Sequence, residues 1–258
     1  MRTSLARALC DIVVAMPSGP SKRVGLARAL SKFGYCSRSQ AAELIRAGRV
    51  RLNGIPRRDP ETPVRLPIDR IEVDFVSVSA KRKIYLMLNK PRGLITTASD
   101  EQGRNTIYSC LPASLPWLGP VGRLDKASEG LLLLTNDTAW AARVADPESH
   151  IPRTYHVQIV ALPDGSLPDS LVKGVRVAEF GTLRAKQAEI LRHGDRNSWL
   201  SVVLDEGKNR QIRRMFDALH IEVLRLVRVA IGPVQLGDLP KGDHRALTAK
   251  EIASLAAP

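Results

Sequence analysis

The stretch Gly122-Arg123-Leu124-Asp125-Lys126-Ala127-Ser128-Glu129-Gly130-Leu131-Leu132-Leu133-Leu134-Thr135-Asn136-Asp137 puts one carboxylate where chemistry could be done. Two glycines bracket a short polar segment, four leucines follow, and a polar turn closes the run. An apolar run that short, with Gly before it and Asn-Asp after it, predicts a strand buried on both faces. The polar segment is then the loop that feeds a core strand, and a rigid strand fixes a loop carboxylate beside a cleft. Asp125 is that carboxylate, and the flanking Arg123 and Lys126 favour its charged form. A positioned, ionised carboxylate can be a nucleophile, a general base or a metal ligand. In a Gly-rich loop it can equally be a turn former or a helix cap, so spacing alone leaves the role open.

The totals narrow the class. A chain of 258 residues allows one large or two modest domains and a core that needs no staples. Lys and Arg number 39 against 26 Asp and Glu, a net charge of +13, while aromatic residues are 4%. That balance points to a polyanionic partner held without aromatic platforms. No stretch approaches the ~18–20 apolar residues of a membrane span. Cys10, Cys36 and Cys110 are odd in number and widely spaced, which argues against a disulfide framework or zinc site and fits a reducing cytoplasm. Gly-rich phosphate loops and His-x-x-x-His spacing are missing from the sequence. An enzyme without metal or nucleotide cofactor is expected.

The elements that would position Asp125 can be read in order. Residues 1–20 carry Arg2 and Arg7 before an apolar run that Asp11 interrupts, and no small-residue cleavage site follows. A disordered extension is expected there, rather than a signal peptide. Residues 21–80 read as a separate small module. Leu26, Ala27, Leu30 and Phe33 share one helical face that Gly34 ends. Ser37 and Gln40 form a capping box for a second helix closed by Gly48. Asn53-Gly54 is a tight-turn pair between short strands. Over 21–60, ten basic residues, among them Arg23, Arg38, Arg46, Arg49 and Arg51, face only Glu43 and Asp59. Such a run is a solvated face or one that meets a polyanion. Residues 76–83 read as a linker.

Beyond it, 84–91 reads as a strand stopped by Pro91, and 89–97 as strand, Pro-x-Gly turn and second strand that brace the Asp125 loop. A helix over 138–144, a strand over 153–160, a helix over 167–173 and strands over 175–177 and 182–191 follow. The strand 199–204 runs into Asp205-Glu206-Gly207-Lys208-Asn209-Arg210-Gln211-Ile212-Arg213-Arg214-Met215-Phe216, where Gly207 turns the chain into a helix. Ile212, Met215, Phe216 and Leu219 form its apolar stripe, and its basic residues sit at its start. A strand over 224–229 and a final helix capped by Thr248 and Glu251 complete the chain.

Three of these stretches together resemble the pseudouridine synthases, in particular the single-site branch that modifies ribosomal RNA. They are the Asn89–Thr97 segment, the Asp125 string and the Asp205–Phe216 segment, in the family's order. The front module resembles the S-four-type RNA-binding domain. The resemblance covers roughly residues 22–250. It departs at Thr138, where the family commonly has Gly, and at Arg153, where it commonly has Lys.

The resemblance implies an α+β fold: a small α-rich RNA-binding domain over 21–80, then a catalytic domain over 81–258 on a mixed, mostly antiparallel sheet. It implies isomerisation of a uridine to pseudouridine in ribosomal RNA, with Asp125 as nucleophile, Tyr155 stacked on the base and Arg213 paired to Asp125. Asp125 attacking ribose and Asp125 assisting elimination to a glycal are both open. Arg23, Arg38, Arg46, Arg49, Arg51, Arg123, Lys208, Arg210 and Arg214 are the expected RNA contacts. The partner would be ribosomal RNA or a pre-ribosomal particle, met by a cytoplasmic monomer. The wording of 209–214 leans toward the large subunit. The rival readings are a non-catalytic structured-RNA-binding or ribosome-assembly protein, and a synthase acting on small-subunit or transfer RNA. Asp125, Tyr155 and Arg213 occurring together favour the enzyme.

Overall fold

The computed structural model describes residues 23–66, 68–97 and 104–256. The extension expected over 1–20 and Cys10 lie outside the described residues.

The front of the chain runs β1 (Arg23–Gly25), α1 (Leu26–Lys32), α2 (Arg38–Arg46), β2 (Val50–Leu52), β3 (Ile55–Arg57), β4 (Pro63–Arg65), β5 (Ile71–Val73) and β6 (Val76–Val78). Gly34 ends α1 at φ +70°, a conformation that a side chain would strain. The Ser37–Gln40 capping box satisfies two backbone N–H groups at the start of α2. Asn53 and Gly54, at φ +52° and +81°, make the turn between β2 and β3. The strands form an antiparallel sheet in the order β3-β2-β5-β6, and β1 pairs with β4. Leu26, Leu30, Ile45, Val50, Ile71 and Val73 pack between helices and sheet.

The expected linker begins later than the sequence suggests. Val76–Val78 pairs with β5, because Asp74 and Phe75 both take positive φ (49° and 66°) and fold the chain back. Asp tolerates that conformation, and the Val-Ser-Val alternation suits a strand.

The rest is built on a larger sheet. Its elements are β7 (Tyr85–Lys90), β8 (Gly119–Val121), β9 (Glu129–Thr135), α3 (Thr138–Ala145), β10 (Arg153–Ile159), α4 (Ser166–Lys173), β11 (Val175–Val177), β12 (Gly181–Leu183), β13 (Gln187–His193), β14 (Ser198–Leu204), α5 (Gln211–Ala218), β15 (Val223–Ile231), β16 (Val234–Gln235), β17 (His244–Ala246) and α6 (Ala249–Ser254). The order is β13-β14-β10-β15-β9-β7-β17, with β16 on β15 and β8 on β9. Among the named strands of the described residues, only β15 and β9 pair in parallel. The chain is therefore α+β, with a mixed, mostly antiparallel sheet. The strand expected over 182–191 is two strands, separated where Ala185 tucks against Leu171 by a backbone hydrogen bond.

The strand β9 is buried at every position. Leu131 and Leu133 pack with Met87, Trp140, Val144 and Leu255 on one face. Leu132 and Leu134 pack with Leu88, Ile107, Leu118 and Leu124 on the other. At its far end Asn136 holds the segment that enters β7: its Nδ2 donates to Arg82 O at 2.9 Å and its Oδ1 accepts from Ile84 N at 2.8 Å. The Asn136 side chain also lies against Gly34, where an added Cβ would meet Nδ2 at 3.0 Å.

Candidate active site

The loop 122–128 leaves β8 and returns into β9, and three groups of the 89–97 segment hold it. Lys90, with no exposed surface, donates Nζ to Ser128 O at 2.9 Å, Pro91 O at 3.1 Å and Asp125 O at 3.2 Å. An ammonium has three N–H bonds, and here three carbonyls take them. Gly93 N donates to Lys126 O at 2.7 Å, and Thr96 Oγ1 donates to Leu124 O at 2.8 Å. Burial pushes Lys90 down to about 8, against the opposing charges of Asp125 and Glu129, so it stays a cation at neutral pH. The loop is thus gripped through its backbone, which leaves the Asp125 side chain to point outward.

That side chain is 36% exposed and lines a cavity of about 240 Å³. The volume lies below the ~300–1,000 Å³ of drug-sized sites and suits one small flat group. Tyr155 of β10 lines the same cavity, with Leu204, Leu226 and Ile231 as its apolar wall. Arg123, Arg153, Lys208, Arg210 and Arg228 supply its cations, against Asp125 and Glu206. Such a cleft concentrates a polyanion.

The expected Arg213–Asp125 ion pair is corrected by the geometry. The cation at Asp125 is Arg210, whose Nη1 lies 3.5 Å from Oδ2. Arg210 sits at the N-cap of α5 with φ +52°, so a left-handed arginine, and not Gly207, makes the sharp turn into the helix. Strain of that kind, about 1–3 kcal/mol, persists where the surroundings impose it. Arg213, one turn on, goes behind the loop, with Nη2 donating to Ala127 O at 3.1 Å and Nη1 to Val223 O at 3.3 Å. Its Nε is buried without a partner. Burial, with Arg210 nearby, lowers its pKa, and Asp125 opposes the shift.

The remaining expected RNA contacts are spread over two surfaces. Arg23, Arg38 and Arg46 are exposed on the front part. Arg49 is exposed but paired bidentately with Asp74, and Arg51 lies over the Phe75 ring at 4.4 Å. Arg123 and Lys208 are exposed at the cleft, Lys208 with Glu206 at 2.9 Å. Arg214 is turned away: its guanidinium stacks on Phe180 at 3.4 Å and donates to Asn209 Oδ1 at 3.0 Å.

The sequence reading named no role for Glu129 or Arg228. Glu129 is buried at the start of β9 and takes a bidentate pair from Arg225 (3.0 and 3.1 Å) and Lys241 at 2.6 Å. Burial raises its pKa, and those two cations more than reverse this, leaving it below the usual range. Arg228 is buried, with Nε donating to Leu131 O at 2.8 Å. A charged residue inside an otherwise apolar strand pattern is the signal both share with Lys90.

Residues 84–218 match the RNA pseudouridylate synthase family and residues 24–71 match the S4 domain. The ribosomal large subunit pseudouridine synthase B of Bacillus subtilis is 36% identical over 234 residues, covering 90% of this chain and 95% of that protein. An uncharacterized RNA pseudouridine synthase of Rickettsia bellii is 38% identical over 225 residues, 87% of this chain and 97% of that one. A crystal structure of a pseudouridylate synthase superposes with a TM-score of 0.62 at 30% identity, covering 90% of this chain and 99% of that chain. With a family match over more than half its length, and relatives that span it almost end to end, the chain belongs to the RNA pseudouridylate synthases.

Proposed function

We propose that this chain isomerises a uridine of ribosomal RNA to pseudouridine, with the large-subunit RNA as its substrate. The observation that carries the reading is the Asp125 loop: a carboxylate held by its backbone at the mouth of a base-sized cavity, beside Tyr155. The similarity to the ribosomal large subunit enzyme of Bacillus subtilis supports the choice of RNA. A boundary near residue 80 separates an RNA-gripping front domain from the catalytic one. The protein acts as a monomer in the cytoplasm, and no helix among the described residues is long and apolar enough to cross a membrane.

The target uridine leaves its stack to reach the cavity, at a cost of a few kcal/mol that the cationic cleft and the front domain offset. Tyr155 holds the base face-on. Asp125 acts on the ribose as nucleophile, the bond from C1′ to N1 breaks, the base turns, and C5 joins C1′. Arg213 holds the loop from behind, through its bond to Ala127 O. Phosphate contacts from Arg23, Arg38, Arg46, Arg123, Lys208 and Arg210 supply affinity and register without reading sequence.

Asp125→Asn tests the reading, because it changes charge and nucleophilicity at constant shape. Conversion of ribosomal RNA should cease while RNA affinity stays within a few-fold. Mapping pseudouridines in ribosomal RNA from a deletion strain identifies the site. Turnover by Asp125→Asn within tenfold of the parent would sink the assignment.

A further inference from the structure

Beside the exposed Arg123, the cavity at Asp125 contains two less exposed cations, Arg153 and Arg228, that meet no carboxylate within ion-pair distance among the described residues. Arg153 spends Nη1 on Ile151 O and Nη2 on Val144 O, both at 3.2 Å. Arg228 is only 4% exposed, and its Nη2 is buried with no acceptor. The two cations feel each other: burial lowers the pKa of Arg153, Tyr155 opposes the shift and Arg228 adds to it. Across β10 and β15 the register pairs Tyr155 with Arg228. Directly paired residues project from the same sheet face, so this guanidinium stands beside the tyrosine that would hold the base. The bond from Nε to Leu131 O fixes the guanidinium plane. A buried cation with an unmade hydrogen bond is costly in the free protein and awaits a negative acceptor.

Resting on the isomerase reading above, we propose that Arg228 is a catalytic residue that receives the negative charge of the departing base. The bond from C1′ to N1 breaks with its electron pair going to the base, which becomes a uracil anion with charge shared by N1, O2 and O4. The same anion forms whether Asp125 adds to C1′ or removes the proton at C2′. A pair of electrons from C5 then makes the new bond to C1′, the proton on C5 leaves, and N1 gains one, so reactant and product are isomers. A cation fixed in place before charge develops needs no reorganisation at that moment, unlike water. Arg153, two residues before Tyr155 on β10, adds to the field without a direct contact.

The test uses the full-length protein and two RNAs that differ at the target nucleotide, uridine or 5-fluorouridine. Fluorine makes the departing anion intrinsically more stable, so it needs less help. Single-turnover cleavage of the C1′–N1 bond at saturating enzyme is read by nucleoside analysis for the parent, Arg228→Gln and Arg228→Lys. Arg228→Gln should slow uridine cleavage by roughly 100-fold or more, slow 5-fluorouridine cleavage at least about tenfold less, and leave RNA affinity within about threefold. Arg228→Lys, which keeps the charge, should fall between, and it carries the comparison if the Gln variant does not fold. Equal losses on both RNAs, a defect confined to binding (as a phosphate contact would give), or no loss would each overturn the proposal. A parent protein that leaves uridine unchanged would instead overturn the isomerase reading. An active parent, an inert Asp125→Asn and an undiminished Arg228→Gln would overturn this proposal alone.

Discussion

Lys90→Met separates holding a loop from stabilising a fold. The variant fills the same space but leaves the Ser128, Pro91 and Asp125 carbonyls without their donor. Only the bond to Ser128 is fully buried. An unmet buried acceptor costs about 1–3 kcal/mol and the two wetter ones less, for a loss of about 2–5 kcal/mol. Against this, the variant no longer buries an ammonium. Lys90 is pushed from 10.5 to about 8, which corresponds to about 3 kcal/mol of disfavoured charge. The two nearly cancel, so the unfolding free energy at pH 7 should shift by less than about 2 kcal/mol. Turnover should not cancel: a carboxylate displaced by about 1 Å can cost on the order of a hundredfold. Urea denaturation and single-turnover conversion of RNA measure the two. The pH dependence checks the sign. Because the folded-state value lies below the unfolded one, the unfolded chain binds more protons between pH 8 and 10.5, and this group makes stability rise across that window. Lys90→Met should lack that rise. Parental turnover in the variant, or the same alkaline slope in both proteins, would refute the reasoning.

Arg213→Ala should lower the chemical step by a hundredfold or more at saturating RNA, since it removes the brace behind Ala127, whereas Arg210→Ala should cost less than tenfold, its ion pair being half-exposed. The reverse ranking by single-turnover kinetics would reassign the two. Glu129→Gln should destabilise by about 1–3 kcal/mol at pH 7. Its folded-state pKa is depressed, so that contribution exists above the usual glutamate range and fades as pH falls through the folded value. A stability gap from the parent that is unchanged on acidification to the foot of the transition contradicts this. Gly130→Ala should cost at least about 2 kcal/mol, because φ is +99° and a Cβ would clash with Arg228 O. A melting temperature within a degree of the parent would show that β9 and β15 can part.

What the sequence made legible was local. Both capping boxes, the Asn53-Gly54 turn and the buried leucine run of β9 depend on neighbours within a few residues, and the structure has all of them. The 89–97 segment was expected to brace the loop and does. The side chains that finish the site depend on register across the sheet. Lys90 meets Ser128 thirty-eight residues on, and Arg228 meets Leu131 ninety-seven residues back, distances over which periodicity carries no information. The Arg210–Asp125 pairing was missed because a left-handed arginine redirects every side chain after it by a rotation that no spacing rule anticipates.

The strand β9 has the Asp125 loop at one end and Asn136, touching Gly34 of the front part, at the other. Seven residues of strand are a stiff rod of about 23 Å. If the front part grips one feature of a folded RNA, the carboxylate proposed to do the chemistry lies a set distance away. Target choice becomes a matter of surveying: a uridine is modified for where it lies from a landmark, and the letters around it can drift. Lengthening or shortening the RNA helix between landmark and target, rather than changing its sequence, is what such a protein should notice.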